Sequence, residues 1–179
     1  SPDLSGVTST TSMFYATGNM NDSLDHWDMS SITNMGSMFA GATSFNQPLN
    51  NWNVSNVTNI HSMFQDATSF NQPLSNWDTS HITDFSYLFY AATSFNQPLN
   101  TWDVGNVTNM TFMFTNATSF NQPLNSWNTD SLTNINYMFY GATSFNQPLS
   151  NWDTSHVFNA VYTFAGATAF NQSLATWDV

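Results

Sequence analysis

"ATSFNQPLNNWNVSNVTNIHSMF" spans Ala42–Phe64, and a close copy of it begins again at Ala67. Tryptophan keeps the register: Trp27, Trp52, Trp77, Trp102, Trp127, Trp152 and Trp177 lie 25 residues apart, and Pro2 holds the same phase one period earlier. Self-similarity at a fixed period of about 20–50 residues is the signature of a solenoid, propeller or array. A four-stranded propeller blade takes about 40 residues or more, so a 25-residue unit fits one coil of a solenoid. Residues 1–179 therefore read as a single solenoid domain of about seven units without spacers, starting near residues 2, 27, 52, 77, 102, 127 and 152.

Within a unit the apolar columns are nearly unbroken: Leu49, Trp52, Val54, Val57, Ile60, Met63, Phe64, Ala67 and Phe70. The Phe64 column reads Phe14, Phe39, Phe64, Phe89, Phe114, Phe139 and Phe164. One unit cannot hide so many large side chains, whereas stacked neighbours hide one another's, and rings set above rings add to burial. Leu49-x-x-Trp52-x-Val54 matches the L-x-x-L-x-L strand segment of leucine-rich repeats, with Trp52 and Val54 inward and residues 51 and 53 outward. The proline column of Pro48 must precede that strand, because proline cannot donate to a ladder. From Ser55 onward the apolar spacing of three to four predicts a short helical or 3₁₀ segment, capped by Ser55 or Asn56. The expected coil is thus one parallel β-strand followed by one short helical piece.

The polar columns are equally regular. Asn46 recurs at Asn21, Asn71, Asn96, Asn121, Asn146 and Asn171, and Gln47 follows it in all units but the first. A hydrogen-bonding ladder that holds the turn is the structural expectation; ligand contact is the functional one. The end units drift, with Met20, Asp22 and Ser23 in the first and Phe158, Ala169 and Ser173 in the last. Neither end carries a charged cap, so either flanking sequence continues the array or the open ends stack on something.

Composition narrows the partners. Only 6% of residues are charged, against roughly 25% in an average domain, while 16% are aromatic, which argues against disorder. All eleven acidic residues are Asp, and there is no Lys or Arg. Nothing here neutralises phosphates, which excludes nucleic acid, nor attaches to an anionic lipid surface. No apolar run reaches the ~18 residues of a membrane span. The chain opens without a charged-then-apolar leader, as in a mature product or an excised piece, and the absence of Cys leaves the redox compartment open. The missing cations have two readings: one basic-free unit was duplicated, or trypsin resistance and an uncharged surface were selected.

The pattern W-D/N-x-S-x-V-T-N-x-x-x-M-F-x-x-A-T-S-F-N-Q-x-L resembles the 25-residue repeat of mycoplasma and other bacterial surface lipoproteins, itself akin to leucine-rich repeats of the bacterial surface protein A (BspA) type. The resemblance covers the entire chain. It implies a parallel solenoid in an extracellular or cell-surface setting, with adhesion or host interaction as the usual inference and no enzyme or defined ligand.

Site candidates follow from the columns. His26, His61, His81 and His156 occupy three different phases of the unit, which assembles neither a triad nor a metal cluster, so no enzyme is expected. Asp28, Asp78, Asp103 and Asp153 alternate with Asn53 and Asn128 in one outward column. Stacked carboxylates repel, so each either accepts hydrogen bonds from turn amides or shares a bridging Ca²⁺. Thr58, Thr83 and Thr108 form a hydroxyl column, paralleled by that of Thr43, suited to ice, to glycan hydroxyls, or simply to solubility. Sequons occur at Asn21, Asn53, Asn56, Asn106, Asn109, Asn116 and Asn171 and matter only in a eukaryotic or viral setting. The expectation is a non-enzymatic extracellular repeat protein for adhesion or for matrix or filament assembly. Head-to-tail stacking would join the Trp177 end of one chain to the Pro2 end of the next. The alternative is a module binding Ca²⁺, glycan or ice on the Asp/Asn or Thr/Ser columns.

Overall fold

The computed structural model describes residues 2–179. The chain winds in 25-residue coils laid one on the next, but the coil is not the expected one. Among the described residues there is no helix and no regular strand. Backbone pairing of the sheet type is confined to isolated parallel bridges, Ser9↔Asn34, Asn34↔Asn59, Asp84↔Asn109, Asn109↔Asn134 and Asn134↔Asn159. The parallel strand at Leu49–Val54, the helical or 3₁₀ segment after Ser55 and the leucine-rich-repeat coil they would make are all replaced by a run of turns.

The apolar spacing explains both the expectation and its failure. In the third coil Trp52 N–H donates to Leu49 O (3.1 Å), Val57 to Val54 (2.9 Å), Met63 to Ile60 (3.0 Å), Ala67 to Phe64 (3.1 Å) and Phe70 to Ala67 (3.0 Å). Each bond closes a turn from i to i+3. The residues at its two ends are buried, and of the central pairs only Ser62 is buried with them. A chain of such corners repeats apolar residues at intervals of three, as a helix also does.

Two features keep the segment out of a helix. The Asn59 side chain accepts from the His61 N–H (2.9 Å), and the same local bond recurs at Asn34, Asp84, Asn109 and Asn134. Such bonds draw the backbone away from the helical pattern. Two positions per coil also take left-handed φ: Ser62 at 57° and Asp66 at 56°, with Ser37 at 54° and Gly41 at 72° one coil earlier. A left-handed residue other than glycine costs roughly 1–2 kcal/mol and is incompatible with continued right-handed helix.

What this backbone gains is a bond to its neighbour. Ser62, Phe64 and Asp66 donate their N–H groups to the carbonyls of Ser86, Leu88 and Tyr90 at 3.1, 3.0 and 2.7 Å. Alternate amides therefore close turns within the coil and join it to the next. The main ladder lies over residues 60–66, where a helix was expected.

The rings stack inside. Phe14, Phe39, Phe64, Phe89, Phe114, Phe139 and Phe164 follow one another with centroids 5.5–5.7 Å apart. Phe45, Phe70, Phe95, Phe120, Phe145 and Phe170 form a second row at 5.9–6.1 Å. Within a coil the two rows meet closely, Phe89 lying 3.9 Å from Phe95. Near-parallel rings at centroid separations above 5 Å are laterally offset, the arrangement that their quadrupoles favour. From Trp52 onward each indole N–H reaches back one coil, as in Trp77 to Leu49 O (3.0 Å) and Trp102 to Leu74 O (3.0 Å). One continuous core runs from Leu24 to Val157.

Candidate functional site

The Asn46 column is a ladder. The amide N–H of Asn71 donates to Asn46 Oδ1, that of Asn96 to Asn71 Oδ1 and that of Asn121 to Asn96 Oδ1, each at 2.9 Å. The Gln97 and Gln122 side-chain amides add bonds of 3.0 and 3.1 Å to the Asn71 and Asn96 oxygens. These half-buried oxygens are fully engaged in holding coil to coil, which assigns the column to structure.

The Asp/Asn column faces outward, as its place beside the buried Trp52 and Val54 requires. Every member accepts from the amide two residues on: Ser30 to Asp28 (3.0 Å), Ser80 to Asp78 (3.1 Å), Gly105 to Asp103 (3.0 Å), Ser155 to Asp153 (2.8 Å), Ser55 to Asn53 (3.2 Å) and Asp130 to Asn128 (3.1 Å). The Asp side chain here is a turn acceptor that Asn can replace. A calcium ion takes six to eight oxygens, whereas no group of three or more Asp, Glu, His or Cys comes together among the described residues. A coil places at most one carboxylate in the column, and Asn53 and Asn128 interrupt the row. That donor set does not fit the ion.

The seryl partners also set the charge of the column. Hydrogen bonds from the Ser30, Ser80 and Ser155 side chains, then from their amides, hold the Asp28, Asp78 and Asp153 carboxyls below the usual carboxylate range. A folded-state pKa below the unfolded one contributes stability above the unfolded value, and this is lost as pH falls through the folded value. Asp78→Asn keeps the acceptor, as Asn53 does, and removes the proton. We expect it to reduce the loss of stability as pH falls below the ordinary carboxylate value without altering the fold at neutral pH. Denaturant titrations at falling pH, with carboxyl NMR of Asp78, check this.

The Thr column spends its donors internally. Thr33 Oγ1 donates to Thr8 O (3.1 Å), Thr58 to Thr33 O (3.3 Å), Thr108 to Thr83 O (3.4 Å) and Thr133 to Thr108 O (2.9 Å). Thr58, Thr83 and Thr108 are exposed, so their oxygens remain as a regular row of acceptors. Thr43, Thr68 and Thr93 repeat the scheme on a second row.

The histidines stay apart, His61 against the Tyr87 ring at 5.6 Å and His156 beside Ser155 Oγ at 3.4 Å. The best-formed depression, about 300 Å³, is lined by Pro2, Asp3, Leu4, Ser5, Asp28, Ser30 and Ser31 in the first two coils. Trp177 stacks on Trp152 at 6.1 Å and donates to Leu149 O, half-buried in the last coil.

One surface escaped the sequence reading. Tyr87, Phe112, Tyr137 and Tyr162 stack along the outside of the last four coils at 4.7, 4.7 and 5.2 Å. The first three coils carry Ser12, Ser37 and Ser62 in that column. The signal was that switch from serine to aromatic, hidden because the aromatic core columns dominate the repeat.

The geometry defines a tandem-repeat protein made of stacked turn-built coils. The chain belongs to the Mycoplasma protein of unknown function family, DUF285, whose family model matches residues 1–100 and again residues 72–177. Overlapping matches are what a periodic chain gives. No curated protein and no solved structure matches the chain.

Proposed function

We propose that the chain is a non-enzymatic extracellular repeat scaffold for adhesion or matrix assembly, extended by head-to-tail stacking of its coils. The observation that carries this reading is the interface inside the chain: Phe39, Phe64, Phe89, Phe114 and Phe139 are fully covered by neighbouring coils and stack on one another at every 25-residue step. An interface that joins like units head to tail does not close when it is repeated between chains.

Sedimentation velocity across a concentration series tests assembly. The expected result is mass growing in steps of one chain, abolished by Phe170→Asp, which places a carboxylate in the ring row of a chain already at −11. A single monomeric species at all concentrations contradicts the reading.

Adhesion through the columns is the competing form. It is favoured by the fixed register of outward Thr58, Thr83 and Thr108 oxygens, since repeated weak contacts on a rigid array multiply in avidity. A glycan array separates the forms: binding that persists in Phe170→Asp, which blocks assembly, belongs to the columns.

A further inference from the structure

The chain sorts its aromatic residues. Phe side chains fill the interior, with Phe112 and Phe158 turned outward, whereas all six tyrosines stand in two neighbouring columns of one outer edge: Tyr87, Tyr137 and Tyr162 in one, Tyr15, Tyr90 and Tyr140 in the other. Phe112 completes the first column. Tyr90 leans on Tyr87 at 5.8 Å and 40°, and Tyr140 leans on Tyr137 at 5.8 Å and 53°. The result is a comb in which Tyr87, Phe112 and Tyr137 lie near-parallel and Tyr162 tilts by 31° on Tyr137, with the tilted rings of Tyr90 and Tyr140 beside it.

This comb sits on unfavourable backbone. Tyr87, Phe112, Tyr137 and Tyr162 have φ of 59°, 59°, 56° and 55°, a region that bulky residues seldom occupy. The fold does not need rings there. Ser37 makes the same turn, with the Met38 N–H donating to Met35 O at 3.1 Å, as Met138 donates to Ile135 O at 3.1 Å around Tyr137. Strained aromatic side chains kept on an outer edge point to a use of that edge.

Charge says what the use is. Residues 85–91, 110–116, 135–141 and 160–166, which build the edge in the last four coils, contain no Asp; carboxylates border it only at its first coil, where Asp66 donates its N–H to Tyr90 O (2.7 Å) and Asp84 accepts from the Ser86 N–H (2.7 Å). We propose that this edge binds a neutral polysaccharide chain lying along the stack of coils. A pyranose ring offers an apolar C–H face and a rim of hydroxyls. The tilted rings of Tyr90 and Tyr140 and the outermost ring, Tyr162, supply faces, and the tyrosine hydroxyls supply donors and acceptors; the Thr111 hydroxyl and the Asn136 oxygen are engaged by Asn109 and the Val161 N–H. Tyrosine does this at low entropic cost, having two side-chain torsions, and here the stack fixes them further. An uncharged polymer replaces water on the edge without bringing a charge of its own to be desolvated. An anionic polymer would meet the field of a chain at −11. Coil-by-coil repetition lets successive sugars engage in register, so that weak contacts add. Neither the end faces nor the Asp and Thr columns take part.

The test is retention of the 179-residue chain in native gels containing soluble neutral polysaccharides (β-glucan, xylan, galactomannan) and on insoluble cellulose and chitin, with alginate as the anionic control. The quadruple variant Tyr87→Ser, Phe112→Ser, Tyr137→Ser, Tyr162→Ser installs the serine that Ser12, Ser37 and Ser62 already provide. Tyr140→Ala, matching Ala40 in its column, is the milder second variant. The expected result is retention by at least one neutral polymer and none by alginate, weakened more than about tenfold in the quadruple variant and by a smaller factor in Tyr140→Ala. No retention by any neutral polymer, or equal retention of both variants, overturns the proposal. So does a wild-type dimer that the quadruple variant converts to monomer, which would give the edge to a second copy.

Discussion

Phe89→Ala is expected to lower the unfolding free energy by about 3–5 kcal/mol, the range of large-to-small changes at aromatic core positions. Phe89 is fully buried and lies in ring contact with Phe64 and Phe114 in the adjacent coils, with Phe95 in its own, and with Trp102. Truncation removes the buried area and leaves a void in both rows, and the turn backbone has little freedom to collapse into it because its alternate amides are bonded to the next coil. Phe89→Leu retains apolar volume and loses chiefly the stacking share, about 0.5–1.5 kcal/mol. Phe14→Ala, at the half-open end of the same row, should cost clearly less than Phe89→Ala. Denaturant midpoints for the three variants, read at an unchanged slope, test the ordering.

Asn96→Ala is the second large effect, about 1–3 kcal/mol from donors left without an acceptor. The Asn96 side-chain oxygen takes the Asn121 amide at 2.9 Å and the Gln122 side-chain amide at 3.1 Å. Both donors are partly enclosed, so water restores only part of what is lost. Asn96→Asp keeps an oxygen in place for both donors and should lose less than Asn96→Ala. Amide exchange reports the site directly: Asn121 should exchange faster in Asn96→Ala and stay protected in Asn96→Asp. Equal loss of protection in both variants would show that the column holds no specific bond.

The tryptophan period and the phenylalanine rows were legible because they depend only on side chains meeting their own copies one coil away. The Asn46 ladder was legible for the same reason: an identical amide 25 residues on is the partner it needs. The path of the backbone between columns was not. Ile60, Met63 and Ala67 are spaced as on a helix, yet the same spacing arises when i to i+3 turns follow one another. Only the local bonds of Asn59 and the left-handed φ of Ser62 and Asp66 decide between them. Left-handed backbone at Ser62, Tyr87 or Phe112 carries no glycine to announce it. The strand expected at Leu49–Val54 failed in a related way: Trp52 and Val54 do alternate inward, but the indole N–H and a corner bond, rather than a backbone ladder, hold that stretch.

Among the candidate sites, the outward Asp/Asn column was readable and its carboxylates proved to be turn acceptors. The tyrosine edge was not readable in advance, because its meaning depends on two columns lying side by side on one surface. A column that is serine in three coils and aromatic in four looks like drift until the fold brings it beside Tyr90 and Tyr140.

Equilibrium unfolding of arrays cut to three, five and seven coils measures the coupling between neighbours most directly. Nearest-neighbour stacking predicts a midpoint and an unfolding free energy that climb with each added coil by a nearly constant increment. Arrays that melt at the same point whatever their length would mean that each coil holds itself together, and stacking between coils would then not be what stabilises the fold.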